Sequence, residues 1–317
     1  MRRTFSIGKL VGLLLLLGST AMVLWSQQEE LFPGPQLLVL GTAQDAGYPQ
    51  AACIKSCCAR HWEGNEPKRG VVSLGIHDPA SRQLWLIEAT PDFREQWHTL
   101  QQREPGKTQP DGILLTHAHM GHYTGLLHLG REVMGADSVL VWAMPKMQQF
   151  LSQNGPWSQL VELGNIVLKP LEADRATSLG TGLTVMPWLV PHRDEWSETV
   201  GFVIEGPRNR VLFLPDIDKW DRWDRDLAEV LRSVDYALID ATFFKNGELP
   251  NRDMREIPHP FVEETISLLM DLPTSEKSKV YFIHMNHTNP LLWQESAREE
   301  VRKMGFHVAK EGMIIDL

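Results

Sequence analysis

Residues 115–122 read LTHAHMGH, which places His117, His119 and His122 within six positions. They follow directly on DGILL, an apolar run of strand type. The arrangement recurs along the chain. LTVMPWLVP ends at His192, RVLFLP at Asp216 and KVYFI at His284. A histidine standing alone is usually a satisfied surface or core residue. Four strand ends that all carry histidine or aspartate are another matter, because side chains just past apolar strands can converge at one rim of a sheet. Imidazole and carboxylate together suit zinc, iron and manganese. The fold must therefore bring these strand ends together around a metal centre.

The rest of the chain supplies material for such a sheet. QLLVLGTAQ begins the strand-like runs, and GVVSLGIHD and RQLWLIEAT follow, joined by the turn DPAS. DFREQWHTLQQ has helical spacing with Asp92 as N-cap, and YTGLLHLGREVMG reads as a further helix. SVLVWA, NIVLKPL, TVGFVIEG, YALIDATF and GMIIDL are strands, and DRDLAEVLRSV, PFVEETISLLMDL and SAREEVRKMG are helices. Antiparallel runs with helices interspersed predict an α/β fold of two packed sheets with helices outside. The 317 residues are 43% hydrophobic, ample for such a core. A net charge of -9 offers little basic surface for phosphate neutralisation, so no nucleic acid partner is expected.

The N-terminus departs from this balance. MRRTFSIGK is basic and LVGLLLLLGSTAMVLW is apolar, so residues 1–28 read as a secretory signal or an uncleaved membrane anchor. Residues 29–36 read as a linker and 37–317 as one catalytic domain. In a bacterial host that domain is expected outside the cytoplasm, periplasmic or membrane-anchored. All three cysteines, Cys53, Cys57 and Cys58, fall within CIKSCC. An odd, local cluster is not a disulfide framework. It reads as a metal knuckle, with one near-neighbour disulfide and a spare thiol as the alternative in an oxidising compartment.

THAHMGH resembles the HxHxDH motif of the metallo-β-lactamase superfamily, and His192, Asp216 in LFLPDID and His284 in FIHMNHTNP follow in the expected order. GTAQDAGYPQAACIKSCC, LTHAHMGHYTGL and IHMNHTNP are similar to the branch that holds the PQQ-biosynthesis B protein and the cyclic phosphodiesterases, itself related to ribonuclease Z. The resemblance implies an αββα sandwich of two mixed sheets. It implies a first metal held by His117, His119 and His192, with Asp216 bridging to a second metal held by His122 and His284. Where the motif has aspartate, this chain has Gly121, so the second site is expected to be one ligand short and weakly occupied. Asp45 is a candidate to fill the gap. Restoring the carboxylate with Gly121→Asp is expected to strengthen that site.

The branch also carries a structural zinc, implied here on Cys53, Cys57, Cys58 and His287, although Lys55 stands where its second cysteine would be. By resemblance to the acidic-Ala-Thr element of ribonuclease Z, IDATFF offers Asp240 to orient His259 as a general acid. A helix cap or a turn histidine is the plain alternative for His259. Tryptophans 157, 188, 196, 220 and 223 are candidates for a pocket wall, against simple packing.

The implied function is a hydrolase using metal-activated water on a small ester or phosphodiester, with Asp216, His259 and Asp240 catalytic. Its cofactors are one structural zinc and one or two catalytic divalent metals, Zn2+, Mn2+ or Fe2+. A metabolite carrier related to PQQ biosynthesis and an oxygen-dependent oxidase are the competing classes. The partner is a small-molecule substrate; a membrane tether through the N-terminus and a homodimer stay open.

Overall fold

The computed structural model describes residues 34–180, 182–250 and 252–317. The basic and apolar N-terminal segment lies outside the described residues. The first sheet takes β1 (Gln36–Gly41), β2 (Ser73–Asp78), β3 (Gln83–Ile87), β4 (Gly112–Leu114), β5 (Val139–Ala143) and β6 (Ile166–Pro170). The second takes β7 (Thr177–Gly180), β8 (Leu183–Leu189), β9 (Val200–Glu205), β10 (Arg210–Leu214), β11 (Tyr236–Asp240), β12 (Val280–Ile283) and β13 (His307–Val308). β14 (Ile314–Asp316) returns to the first sheet and pairs with β1.

The strand orders are β14-β1-β2-β3-β4-β5-β6 and β13-β12-β11-β10-β9-β8-β7. β1, β2 and β3 alternate in direction, whereas β3 to β6 run parallel. The second sheet does the same: β8, β9 and β10 alternate and β10 to β13 run parallel. Two reversals restore the original direction. The carboxyl ends of β1, β3 and β4 therefore share one rim, as do those of β8, β10, β11 and β12, and the ligand-type residues follow these ends.

Apolar side chains from both sheets meet between them, Leu37, Val39, Leu74 and Ile76 against Val185, Phe202, Ile204 and Phe213. The outer face of the first sheet is covered by helices Phe93–Gln101, Pro145–Gln153 and Trp157–Glu162. Helices Leu227–Arg232, Val262–Leu269 and Glu295–Lys303 cover the second. The result is the αββα sandwich, an α/β fold with two mixed sheets. Both faces of the inner strands are covered, which is why RVLFL reads as continuous apolar rather than alternating sequence.

Two local expectations need correction. The segment after the histidine motif is a single turn, Met120–Tyr123, followed by the 3-10 stretch Thr124–Leu129, not one long helix. Gly125 lies so close to the first sheet that a Cβ there would sit 2.2 Å from the Thr90 carbonyl, which holds the backbone tight. Asp92 precedes its helix without capping it; its carboxylate accepts from Val71 N at 2.9 Å and pairs with Lys68. β1 begins at Gln36, where the strand-like run QLLVLGTAQ begins.

The end of β1 is packed to contact. A Cβ at Gly41 would lie 1.9 Å from the Val71 carbonyl oxygen and 2.8 Å from Gln96 Nε2. Gly41→Ala should lower unfolding free energy by about 1–3 kcal/mol, the usual range for overpacking. Chemical denaturation reads this directly, and an unchanged midpoint would mean the strand edge yields freely.

Candidate metal centre

His117 and His119 leave the end of β4, His192 the end of β8 and Asp216 the end of β10. Their ligand-type atoms lie within 4.8 Å of one another. His119 Nδ1 is 2.9 Å from His117 Nε2 and 3.2 Å from His192 Nε2. Asp216 Oδ2 stands 3.4 Å from His117 Nε2 and 3.3 Å from His192 Nε2. Ring nitrogens turned on one another at such distances must share protons or converge on a cation. Three nitrogens and one carboxylate oxygen suit a first-row divalent metal.

A second group adjoins it. Asp45, His122 and His284 also bring ligand-type atoms within 4.8 Å. His122 Nε2 is 2.9 Å from Asp45 Oδ1, while Asp216 Oδ2 lies 4.0 Å from His122 Nε2 and 3.9 Å from His284 Nε2. Asp216 is thus the residue common to both groups. Asp45 Oδ1 and His122 Nε2 face each other at 2.9 Å, and His259 Nδ1 lies 3.2 Å from Asp216 Oδ1. Yet Asp45 Oδ1, His122 Nε2, Asp216 Oδ1 and His284 Nε2 lack a well-directed hydrogen bond among the described residues. Buried polar atoms are rarely left so. An Asp45 oxygen and the imidazole nitrogens of His122 and His284, gathered within 4.8 Å, fit a divalent cation.

The expected deficiency at Gly121 is thereby overturned. Asp45, from the loop after β1, brings its carboxylate to the second group, and the glycine is what admits it. A Cβ at Gly121 would lie 2.3 Å from Asp45 Oδ1 and 2.5 Å from Asp45 Cα. Gly121→Asp cannot therefore add a ligand beside Asp45, and the affinity gain expected from it is withdrawn. The loop is fixed from both sides, since Ala43 bridges to Val71 and to Met285 and Gln44 N donates to the Met285 carbonyl.

The second nitrogen of each histidine is held in turn. His117 Nδ1 meets Thr116 Oγ1 at 2.9 Å, and His122 Nδ1 lies 3.2 Å from Glu88 Oε1, which also accepts from Thr116 Oγ1. His119 Nε2 is 3.2 Å from Glu195 Oε2 and His192 Nδ1 is 3.3 Å from Asp218 Oδ1. His284 Nδ1 meets Thr242 Oγ1 at 2.9 Å, and that hydroxyl donates to Asp240 Oδ1 at 2.7 Å. Such partners fix tautomer and ring direction at metal sites. Sequence reasoning missed Glu88, Thr116, Glu195, Asp218 and Thr242. Glu88 carried a readable signal, an acid closing the apolar run LWLI. Glu88 and His284 both adopt left-handed φ, 75° and 62°, strain of the kind that collects at functional sites.

Burial alone would raise the Asp216 carboxyl, but His192, His259 and His284 hold it well below the usual range. Burial would likewise lower His192, yet Asp216 and Asp218 raise it to about 10. Protons therefore compete with a cation for these nitrogens.

His259 comes two residues before the first capped turn of helix Val262–Leu269, whose N-cap is Phe261, so it does not cap that helix. Its Nδ1 lies 2.8 Å from Asp240 Oδ2 and 3.2 Å from Asp216 Oδ1. Asp240 is fully buried and also accepts from Thr242 N at 2.8 Å and Ile217 N at 3.2 Å. This leaves Nε2 of His259 as the nitrogen available to a ligand. Burial opposes protonation, but Asp240 and Asp216 outweigh it and the His259 pKa is raised. His259 lines a cleft of about 880 Å3. The singled-out tryptophans do not wall that cleft. Trp188 and Trp223 are core, Trp157 packs on Tyr123, and Trp220 donates to Thr265 Oγ1.

Cys53, Cys57, Cys58 and His287 form a separate group with ligand atoms within 4.8 Å. The three cysteines are free thiols in this structure, with Cys53 Sγ 3.9 Å from Cys57 Sγ. Burial pushes His287 down to about 4, leaving it neutral near pH 7, the form that ligates. Burial pushes the Cys58 thiol up to about 12, so a thiolate there needs a cation beside it. Three cysteines and a histidine make a closed, structural zinc set.

A family model described as Beta-lactamase superfamily domain matches residues 85–285. Coenzyme PQQ synthesis protein B of Pseudomonas protegens is 27% identical over 307 residues, spanning 88% of this chain and 99% of that protein. The protein of the same description from Methylococcus capsulatus is 28% identical over 309 residues, with 88% and 99% covered. Among solved structures, Zn(2+)-bound PqqB from Methylobacterium extorquens superposes with a TM-score of 0.75 at 24% identity, covering 89% of this chain and 100% of that one. A diphosphatase from the PhnP family superposes at 0.63 and 23% identity, with 89% and 96% covered.

Two outcomes follow from this geometry. Asp45→Gly should weaken the second catalytic metal by at least about tenfold, since even outer partners are worth that much. Gly121→Asp alone should not strengthen it, and the double change Asp45→Gly with Gly121→Asp should recover part of the loss. Metal titration of the apo-protein decides this, and undiminished second-metal binding in Asp45→Gly would refute the assignment. Cys58→Ser should lower zinc content by about one per chain and reduce thermal stability. Native thiols that all react freely in metal-loaded protein would contradict that site.

Proposed function

The chain belongs to the beta-lactamase superfamily, and we propose that it is a metal-dependent hydrolase of a small ester or phosphodiester. The observation that carries this reading is His259, set beside Asp216 and oriented by buried Asp240, at the wall of an open cleft. When bound, divalent metals at the two groups supply a water acidified toward neutrality and a Lewis acid for the developing oxyanion. His117, His119 and His192 would hold one metal and Asp45, His122 and His284 another, with Asp216 within reach of both groups.

The remaining chemistry belongs to the chain. Asp240 accepts from His259 Nδ1, which fixes the ring and leaves Nε2 facing the substrate. Protonated His259 then gives its Nε2 proton to the leaving oxygen as the bond breaks. Asp216 stabilises the charged ring until that transfer. Phe243 and Ile257 line the cleft with His259 and give it an apolar wall. Cys53, Cys57, Cys58 and His287 would hold a structural zinc, tying the loop after β1 to the segment after β12 away from the reacting atoms.

A second reading, a non-hydrolytic metabolite carrier, is favoured by the near-full-length similarity to PQQ synthesis protein B. A carrier has no use for an oriented proton donor, which is why hydrolysis is preferred. Metal analysis of the purified protein, joined to a screen of aryl esters and aryl phosphodiesters, tests the choice. Redox-active iron would redirect it toward an oxidase, and no turnover of any ester would favour the carrier. We further propose that residues 37–317 act outside the cytoplasm, with 1–28 as signal or tether, a reading supported by the basic-then-apolar N-terminus.

General acid catalysis has a kinetic signature. His259→Ala should slow substrates with poor leaving groups by ~10²-fold or more while sparing activated p-nitrophenyl esters. Equal losses on both substrate types would assign His259 a structural role.

A further inference from the structure

The cleft beside His259 reverses the charge of the chain that surrounds it. The whole sequence carries -9, yet Lys55, Arg193, Arg222 and Arg252 line the cleft against only Asp218 and Glu256. Arg222 already pairs with Asp218 at 2.9 Å, and Arg193 stands 3.8 Å from Glu195. Among the described residues Lys55 and Arg252 have no carboxylate partner, and both are exposed. They come from different segments. Lys55 stands on the cysteine loop and Arg252 on the segment that leads to His259. The same lining includes the apolar side chains Ile54, Phe243, Leu249 and Ile257.

We infer that the substrate is an organic acid ester or diester with an anionic group, remote from the bond that breaks, held by Lys55 and Arg252, and an apolar body that meets the apolar lining. Cations of one sign in a walled cleft concentrate an anion and orient it. An anion bound there points the rest of the molecule toward His259 and the metal centre. The inference also gives the cysteine loop a part in recognition. Lys55 occupies the position where the resembling branch has a cysteine, and the ligands on either side of it, Cys53 and Cys57, fix the backbone that carries it into the cleft. The direction of the substrate rests on the hydrolase reading; the affinity of the cleft for an anion does not.

The test therefore separates binding from turnover. Glutaryl p-nitroanilide and butyryl p-nitroanilide differ by one carboxylate and resist hydrolysis. Calorimetry on the metal-loaded protein should find the glutaryl compound bound about tenfold or more tightly, a difference of ~1.4 kcal/mol. Arg252→Gln and Lys55→Gln should each erase most of that preference, and added salt should reduce it in the unmodified protein. With the matching p-nitrophenyl esters, the variants should raise KM for the glutarate ester and leave kcat and the butyrate ester unchanged. Equal binding of the two anilides overturns the inference. A preference that survives both substitutions also overturns it, since the carboxylate would then be held at the metals. Selective binding without turnover of the esters would uphold the inference and count against the hydrolase reading.

Discussion

Asp216 is buried to 2% exposure, and its Oδ2 faces nitrogens of His117, His119, His122, His192 and His284 at 3.3 to 4.0 Å. A carboxylate that far from water is tolerable only with compensating positive charge. Everything at the rim answers that requirement. Strands from both sheets must end together so that five imidazoles can reach one oxygen. The rings must be held by second partners so that the reaching nitrogens do not turn away. Two reversals in each sheet deliver the first condition, and Thr116, Glu195, Asp218 and Thr242 deliver the second.

Most of this centre was legible because apolar runs stop abruptly where ligands begin. His117, His192, Asp216 and His284 lie within three residues of a buried strand's end and His119 within five, and the histidine run survives as a signal without knowledge of the fold. Asp45 stands four residues past β1 with no histidine near it, among glycine and alanine, and nothing local marks it. Only the bridge from Ala43 to Val71 and Met285 brings it to His122. The outer partners share this difficulty, since Glu195 and His119 are 76 residues apart. Short edges were illegible for a different reason: β13 has two residues and β7 four, too few to show a period.

The relocation of a ligand from position 121 to Asp45 illustrates how little of a metal site is tied to a motif. What the cation requires is an oxygen at a point in space. In a motif aspartate the oxygen would come from the same turn as His122. Here it comes from the loop after β1, and the turn has lost its Cβ so that the loop can approach. Reading the motif alone therefore counts one ligand too few, although the same glycine, considered as a gap that some neighbour must fill, points to the answer. A glycine inside a ligand run is evidence about packing before it is evidence about chemistry.

That same loop explains why the structural and catalytic sites belong to one construction. From Gly41 the chain passes through Asp45 to Cys53, Cys57 and Cys58, while from β12 it passes through His284 to His287. Each segment thus carries one residue of the Asp45, His122 and His284 group and then a residue or residues of the Cys53, Cys57, Cys58 and His287 group. Binding at the knuckle closes a ring of backbone whose other closure is the Asp45–His284 group. Ordering Asp45 by itself would cost roughly 1–2 kcal/mol of backbone entropy for every loop residue fixed. A closed thiolate site, which contributes its binding free energy to folding, offsets that cost at a distance from the reacting atoms. Metal bound at the cysteine group would thus act on the Asp45 loop through the backbone alone, without touching the reacting atoms.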